Sequence, residues 1–311
     1  MNEKTKIEKS LFNVFFGLVN KIILIIFPFI IKTVIIKKLG NEYLGLNSLF
    51  TSLLQMLSLA ELGFGSAMVY AMYKPLKEND SNLICKLLKE YKKIYLIIGS
   101  IIGGVGCLLM PLLPYLIESG TPNDINIYIL YFIYLFNTTV SYFLFAYRKS
   151  LFEADQKNGV LNIINAFVNL MMYILQIVIL LNTSNYYFYV LVIPLATILN
   201  NIISFALSKK EYSQYYCNGE LEEKEKKKIF RNVFSLFGHS LGSMIIISID
   251  SIILSSYLGL NILAIYSNYH YMLNAIGGIV VVFYTSILAS VGNIIIEHIL
   301  FSNPQLHKRL I

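Results

Sequence analysis

The chain has 311 residues, 56% of them hydrophobic and 14% charged, with a mean hydropathy of +0.64 and a formal net charge of +7. That composition excludes a soluble globule, and long recurring apolar runs with charges confined between them read as an all-α polytopic membrane protein. The positive balance then belongs to basic loops and argues for no nucleic-acid partner, and Cys85, Cys107 and Cys217 lack the spacing of a zinc site or disulfide framework.

In chain order, the apolar runs predict about eight transmembrane helices, at about 11–36, 43–70, 94–117, 125–147, 160–182, 186–208, 231–257 and 262–291. The first run exceeds a signal-peptide core and lacks a small-residue cleavage site, so it reads as a span. Lys74, Lys77, Lys86, Lys89, Lys92 and Lys93 follow span 2; Arg148, Lys149 and Lys157 follow span 4. Lys209, Lys210, Lys224, Lys226, Lys227, Lys228 and Arg231 follow span 6, while the connections after spans 3, 5 and 7 carry no Lys or Arg. The positive-inside rule places both termini in the cytoplasm, with Lys37 and Lys38 the exception, and Arg148 reads as a topology anchor. In the segment 221–231, Glu222 and Glu223 stand four residues before Lys226 and Lys227, the pattern of a solvated or membrane-surface helix or of a plain charged linker.

A shift of 219 residues lays Asn13-Val14-Phe15 on Asn232-Val233-Phe234, Leu39-Gly40 on Leu258-Gly259, Leu44 on Leu263 and Ser48 on Ser267 (232 − 13 = 219). Six spans separate the copies, so they share one orientation, a parallel repeat about an axis along the membrane normal. The expected organisation is an N-terminal six-helix lobe at 1–208, a cytoplasmic charged linker at 209–230, the first two helices of a second lobe at 231–293, and an atypical tail at 294–311.

Helical periodicity gathers polar residues into seams. Span 1 aligns Ser10, Gly17, Lys21, Pro28 and Lys32, flanked by Asn13 and Asn20. Span 2 aligns Asn47, Thr51, Ser58, Glu61 and Gly65; span 5 aligns Asn162, Asn165, Asn169 and Gln176. Span 7 aligns Asn232, His239, Ser243 and Asp250, and span 8 aligns Ser267, Asn274, Gly278 and Thr285. Ser, Thr and Gly at such positions commonly serve as helix–helix contacts. Ionisable Lys21, Glu61, His239 and Asp250 face either a wet cavity or buried ion-pair partners, because hydrocarbon does not tolerate them. Gly99 and Gly103 mark a close-packing face in span 3. No phosphate-binding loop, HExxH or CxxC motif occurs, no metal site or cofactor is indicated, and the extracytoplasmic connections are too short for a glycan-transfer site.

The segment 39–80, LGNEYLGLNSLFTSLL…LSLAELGFGSAMVYAMYKPLKEND, resembles the Wzx-type oligosaccharide flippases, the polysaccharide-export branch of the multidrug/oligosaccharidyl-lipid/polysaccharide transporter superfamily. The run LAIYSNYHYMLNAI and SVGN at 290–293 extend the resemblance over residues 10–293. It implies two six-helix lobes around a central cavity and, in the bacterial cytoplasmic membrane, translocation of undecaprenyl-diphosphate-linked oligosaccharide repeat units by alternating access. O-antigen, capsule or exopolysaccharide synthesis is the implied setting, with a polysaccharide polymerase and glycosyltransferases as protein partners. On that expectation Lys21, Lys32 and His239 are candidate cavity cations for the diphosphate, Lys32 lying nearer the outer surface where it can snorkel. Glu61, in the family's AELG segment, and Asp250, in its seventh helix, are candidates for ion coupling. Asn13, Asn20, Asn47, Asn165, Asn169, Asn232 and Asn274 are candidate polar lining. Family members continue through the rest of the second lobe, whereas here Gly292-Asn293 is followed by IIIEHILFSNPQLHKRLI, which reads as a truncated or shortened form. The competing readings are a multidrug or cation antiporter, a peptidoglycan-precursor flippase and a non-functional remnant. A membrane enzyme would need the external loop or acidic motif that is missing.

Overall fold

A computed structural model describes the backbone of residues 3–61, 63–118 and 120–302, and the side chains of 11–58, 61, 63–118, 120–227, 229–233 and 248–278. The described chain is helical: α1 (Glu3–Lys38), α2 (Asn41–Leu57), α3 (Phe64–Glu78), α4 (Ser81–Leu109), α5 (Ile127–Phe143), α6 (Lys149–Ala154), α7 (Asn158–Asn182), α8 (Tyr186–Glu211) and α9 (Glu223–Ser302). Short 3-10 turns follow α2, α4 and α5, and Gly259 (φ 79°, ψ 175°) breaks α9. Two compact units divide the chain, Met1–Ala264 and Ile265–Ile311. Within the second, Tyr266 stacks on His270 at 5.7 Å and His270 bonds Asn274 at 3.0 Å.

Among the described residues five helices are long and apolar enough to cross a membrane, or six if α5 and the segment Ala146–Ala154, bent by 49°, form one span. The eight predicted spans are thus an approximate count. Predicted span 2 is not one helix. Ser58 turns its hydroxyl onto the Leu54 carbonyl at 2.9 Å, Ser58–Glu61 tightens into a 3-10 turn, and Gly63 takes a left-handed conformation before α3 begins. Predicted span 4 likewise breaks at Phe145 (φ 55°), and α6 folds inward with Ser150, Leu151, Phe152 and Ala154 buried.

Elsewhere the helices start where the sequence supplies caps. Asp80 accepts from the Leu83 amide at 3.0 Å, and Asn126 and Asn185 each accept from the second and third amides of α5 and α8. Large side chains such as Leu108, Phe167 and Leu195 stay exposed, as suits a surface solvated by lipid.

The alternating helices define two ends. One, here proximal, holds the starts of α1, α4 and α7 and the ends of α3 and α8; the other, distal, holds the opposite termini. α1 runs parallel to α7. Asn13 clamps their proximal ends, donating to the Gln156 carbonyl at 2.8 Å and accepting from the Gly159 amide at 2.6 Å, and Phe27 stacks on Tyr173 at 5.8 Å further along. α4 packs on α5 through the glycine face: Cβ atoms built at Gly99 and Gly103 would lie 3.0 Å from Tyr142 Cβ and 3.2 Å from Thr139 Cγ2.

Arg148 is 6% exposed and fastens the proximal end of α8. Its guanidinium donates to the Ser208 hydroxyl at 3.1 Å and to the carbonyls of Tyr215, Tyr212 and Ser208 at 3.2, 3.3 and 3.4 Å. Arg148, read from sequence as a topology anchor, is a buried helix cap here, because carbonyls at the end of α8 need donors.

Candidate functional site

The break after α2 directs Glu61 into the first unit. Its Oε1 accepts a hydrogen bond from the Tyr95 hydroxyl at 2.8 Å and its Oε2 one from the Tyr142 hydroxyl at 2.6 Å; Tyr91 donates to Tyr95 at 2.9 Å. Tyr91 and Tyr95 stand one turn apart on α4, and Tyr142 reaches across from α5. Two phenols thus hold a carboxylate in the geometry its lone pairs favour.

This cluster forms one wall of a cavity of about 420 Å³. Glu153, Lys149 and Ser150 of α6 form its proximal rim, and Asn169 of α7 with Thr197, Asn200 and Asn201 of α8 forms the facing wall. The polar lining is cross-linked. Lys149 Nζ donates to Asn200 Oδ1 at 2.7 Å, Asn200 Nδ2 donates to Asn165 at 2.8 Å, and Thr197 donates to Asn137 at 2.7 Å. A second cavity of about 560 Å³ shares Glu61, Tyr91, Tyr95 and Glu153 and extends past Gly65, Ser66, Tyr73 and Asn158 toward the proximal end. Two carboxylates, one ammonium and a run of amides lining two cavities that share a wall can hold a cation or proton and can hydrogen-bond a polyhydroxylated or phosphorylated group.

A third polar cavity of about 840 Å³ lies at the proximal end, among Lys77, Asn79, Asp155, Gln156, Glu211 and Tyr212. There Lys157 bridges Asp155 at 2.7 Å and Glu211 at 2.5 Å. Burial works to lower the Lys157 pKa, but the hydrogen bonds and charges of Asp155 and Glu211 outweigh it and hold the ammonium above the ordinary lysine value. Tyr212, buried beside Asp155, is raised by burial and by that charge.

The predicted site residues are distributed as follows. Glu61 and Asn169 line the central cavity and Asn165 supports it through Asn200. Asn47 accepts from the Tyr134 hydroxyl at 2.7 Å, nearer the distal end. Asn13 is spent on the α1–α7 clamp, and Asn20 is half-buried on α1 with its Oδ1 lacking a partner among the described residues. Lys21 is exposed and Lys32 half-buried on α1; neither lines the central cavity. Asn232 is half-buried and Asp250 exposed on α9, and Asn274 bonds His270 in the second unit. The side chains of His239 and Ser243 lie outside the described residues. The tyrosines, Lys149 and Glu153 were not anticipated; the one available signal was the i, i+4 spacing of Tyr91 and Tyr95.

Long apolar helices around polar, charged cavities define a multi-pass helical membrane protein. Residues 10–288 match the family described as polysaccharide biosynthesis protein, and the chain belongs to that family. The fold is similar to that of a solved transporter described as the inward-facing conformation of a multidrug resistance MATE family transporter of the MOP superfamily. The TM-score is 0.52 and the identity 17%, with 82% of this chain and 56% of that chain covered, so the present chain spans about half the length of that protein. Curated proteins provide no match. The family and the MATE-like, all-α polytopic fold agree with the resemblance read from residues 39–80.

Proposed function

We propose that the chain belongs to a flippase for lipid-diphosphate-linked oligosaccharides, of the undecaprenyl type, acting by alternating access in the bacterial cytoplasmic membrane with both termini cytoplasmic. The observation that carries the reading is the pair of polar cavities that share Glu61, Tyr91, Tyr95 and Glu153, in a chain of the polysaccharide biosynthesis family. Lobes at 1–208 and from 231 onward, joined by a charged linker at 209–230, are part of the same proposal. Lys21, Lys32 and His239 are assigned to the diphosphate. Lys149, already in the cavity and donating to the neutral amide of Asn200, joins them as a cation that can exchange Asn200 for a phosphate oxygen. Glu61 and Asp250 are assigned to ion coupling, a role a carboxylate can fill when an apolar surround makes its charge costly. O-antigen, capsule and exopolysaccharide are the products this substrate class serves, and the polymerase and glycosyltransferases of those routes are the partners.

A second reading, cation-coupled antiport of small cations, draws support from Glu61 and Glu153 sharing one cavity with a single lysine. Export decides between them. In a strain whose surface polysaccharide depends on this gene, Glu61→Gln and Lys149→Met should each cut surface polysaccharide by about tenfold or more while the protein still reaches the membrane. Unchanged polysaccharide with altered resistance to cationic dyes would select the antiport reading.

A further inference from the structure

The polar cavity of about 840 Å³ at the proximal end has no part in the phosphate or ion chemistry assigned around Glu61. Three segments build it: the end of α3 with Tyr73 and Lys77, the α6–α7 turn with Asp155 and Lys157, and the end of α8 with Glu211 and the following loop with Gln214. Its frame is fixed from behind. Arg148 holds the carbonyls of Ser208, Tyr212 and Tyr215, and Lys157 ties Asp155 of the turn to Glu211 of α8. The charges of the lining balance, two lysines against two carboxylates. An anion there meets Asp155 and Glu211, and a cation meets the ammonium already set between them, so the lining suits a neutral, hydrogen-bonding ligand. Acceptors remain for it. Lys157 and Tyr212 both use Oδ2 of Asp155, and Lys157 uses Oε1 of Glu211; the second oxygen of each carboxylate has no hydrogen bond among the described residues. Tyr73 adds an aromatic surface. It is 44% exposed, it lines this cavity and also the one of about 560 Å³ that reaches Glu61, and Tyr70 on the same helix meets it edge to face at 6.1 Å between ring centres.

We infer that the proximal cavity is a docking site for neutral sugar residues, with Tyr73 as the stacking surface and the Lys157-bridged carboxylates of Asp155 and Glu211 as hydroxyl acceptors. An aromatic face carries partial negative charge and attracts the polarised C–H bonds on the flat side of a sugar ring, while neighbouring hydroxyls on that ring donate to carboxylate oxygens. The volume falls within the range of about 300–1,000 Å³ common to small-ligand sites. An exposed tyrosine at the end of an apolar helix can also serve as a membrane-interface anchor. Tyr73 differs from a plain anchor in lining two polar cavities, one of them carrying a fixed pair of acceptors. The inference rests on the flippase reading for the source of the saccharide, and it divides the head group between two regions. The diphosphate belongs with Lys149, and the sugars belong with Tyr73, Asp155 and Glu211.

The test uses the full chain in mild detergent, with Cys85, Cys107 and Cys217 replaced by alanine and Gln214→Cys, exposed in the cavity lining, as reporter. Its reaction rate with a charged maleimide is followed against rising concentrations of three probes: a lipid-diphosphate oligosaccharide, the same lipid diphosphate without sugar, and a free N-acetylglucosamine trisaccharide. At least one of the two saccharides should slow labelling by about threefold or more, saturably, and the sugarless lipid should leave the rate unchanged. Tyr73→Ala should raise the concentration for half protection by about tenfold without altering the unprotected rate, and Tyr73→Phe, which keeps the ring, should stay within about threefold of the parent. Equal protection by the two lipids assigns the cavity to the diphosphate and overturns the proposal. Absence of protection by both saccharides, or half protection unmoved by Tyr73→Ala, overturns it too, and neither result bears on whether export needs Glu61 and Lys149. Protection by saccharide in a protein whose gene deletion leaves surface polysaccharide unchanged keeps the docking site and removes the flippase reading.

Discussion

The clamp on Glu61 gives a quantitative test. The carboxylate accepts two hydroxyl hydrogen bonds, at 2.8 Å from Tyr95 and 2.6 Å from Tyr142. Bonds to a charged acceptor contribute about 1.5–3 kcal/mol each, and a buried hydroxyl left without an acceptor costs about 1–3 kcal/mol. Glu61→Gln retains one carbonyl oxygen and replaces the other by an amide that donates, so one of the two phenols loses its acceptor. The shorter Tyr142 bond should be the stronger, and Glu61→Gln is expected to destabilise the protein by about 1–3 kcal/mol, with Tyr142→Phe costing about 1–2 kcal/mol alone. Once Tyr142 is Phe, Glu61→Gln has less to disrupt, and the double variant should fall short of the sum by about 1–2 kcal/mol. Equilibrium unfolding of the four proteins in mild detergent measures this directly. Additivity within about 0.5 kcal/mol would refute the clamp as a coupled unit.

Further outcomes follow from the same geometry. Arg148→Met should destabilise by about 3 kcal/mol or more, since it strands carbonyls at the end of α8, and should speed proteolysis between α8 and α9; Arg148→Lys, which cannot fork to several carbonyls, should rescue little. Gly106→Val should cost about 2 kcal/mol or more by driving a side chain into Leu135, whereas the same change at Gly104, where a Cβ meets nothing within 4 Å, should stay within about 1 kcal/mol on the same unfolding assay. Lys157→Met should cost about 1 kcal/mol. Because the Lys157 pKa is held above 10.5, its contribution is complete below that pH and is lost only as the pH rises through the higher folded value. The penalty should therefore be equal at about pH 7 and pH 9, and a penalty that vanishes by pH 9 would contradict it.

The sequence made the membrane class and the order of helices legible because apolar runs of span length carry that signal by themselves. The asparagine seam of α7 was equally legible: Asn165 and Asn169 sit on one turn-related face and that face meets the polar side of α8. Glu61 was legible as an ionisable group facing the interior, but its partners were not, since periodicity assumes a straight helix and the turn at Ser58–Glu61 re-aims everything after it. Lys149 and Glu153 were hidden for a different reason. In sequence they look like solvated loop charges, and only the inward fold of α6 after Phe145 brings them to the cavity. Arg148 escaped because the carbonyls it caps are about 60 residues away in sequence. The convergence of α1's lysines on a shared interior was inferred from one face of one helix, and a helical wheel cannot say which neighbour that face meets.

The central claim is that the space beside Glu61 is wetted and receives a phosphorylated saccharide. It is tested most directly at Asn200→Cys, with Cys85, Cys107 and Cys217 replaced by alanine, by reaction with a charged thiol reagent with and without an added lipid-diphosphate oligosaccharide. The account expects reaction in the free protein and a slowing of about tenfold or more with the saccharide lipid, with no slowing by the same lipid lacking its diphosphate and sugar. A cysteine there that stays unreactive, or reacts equally whether or not the saccharide lipid is present, would contradict it.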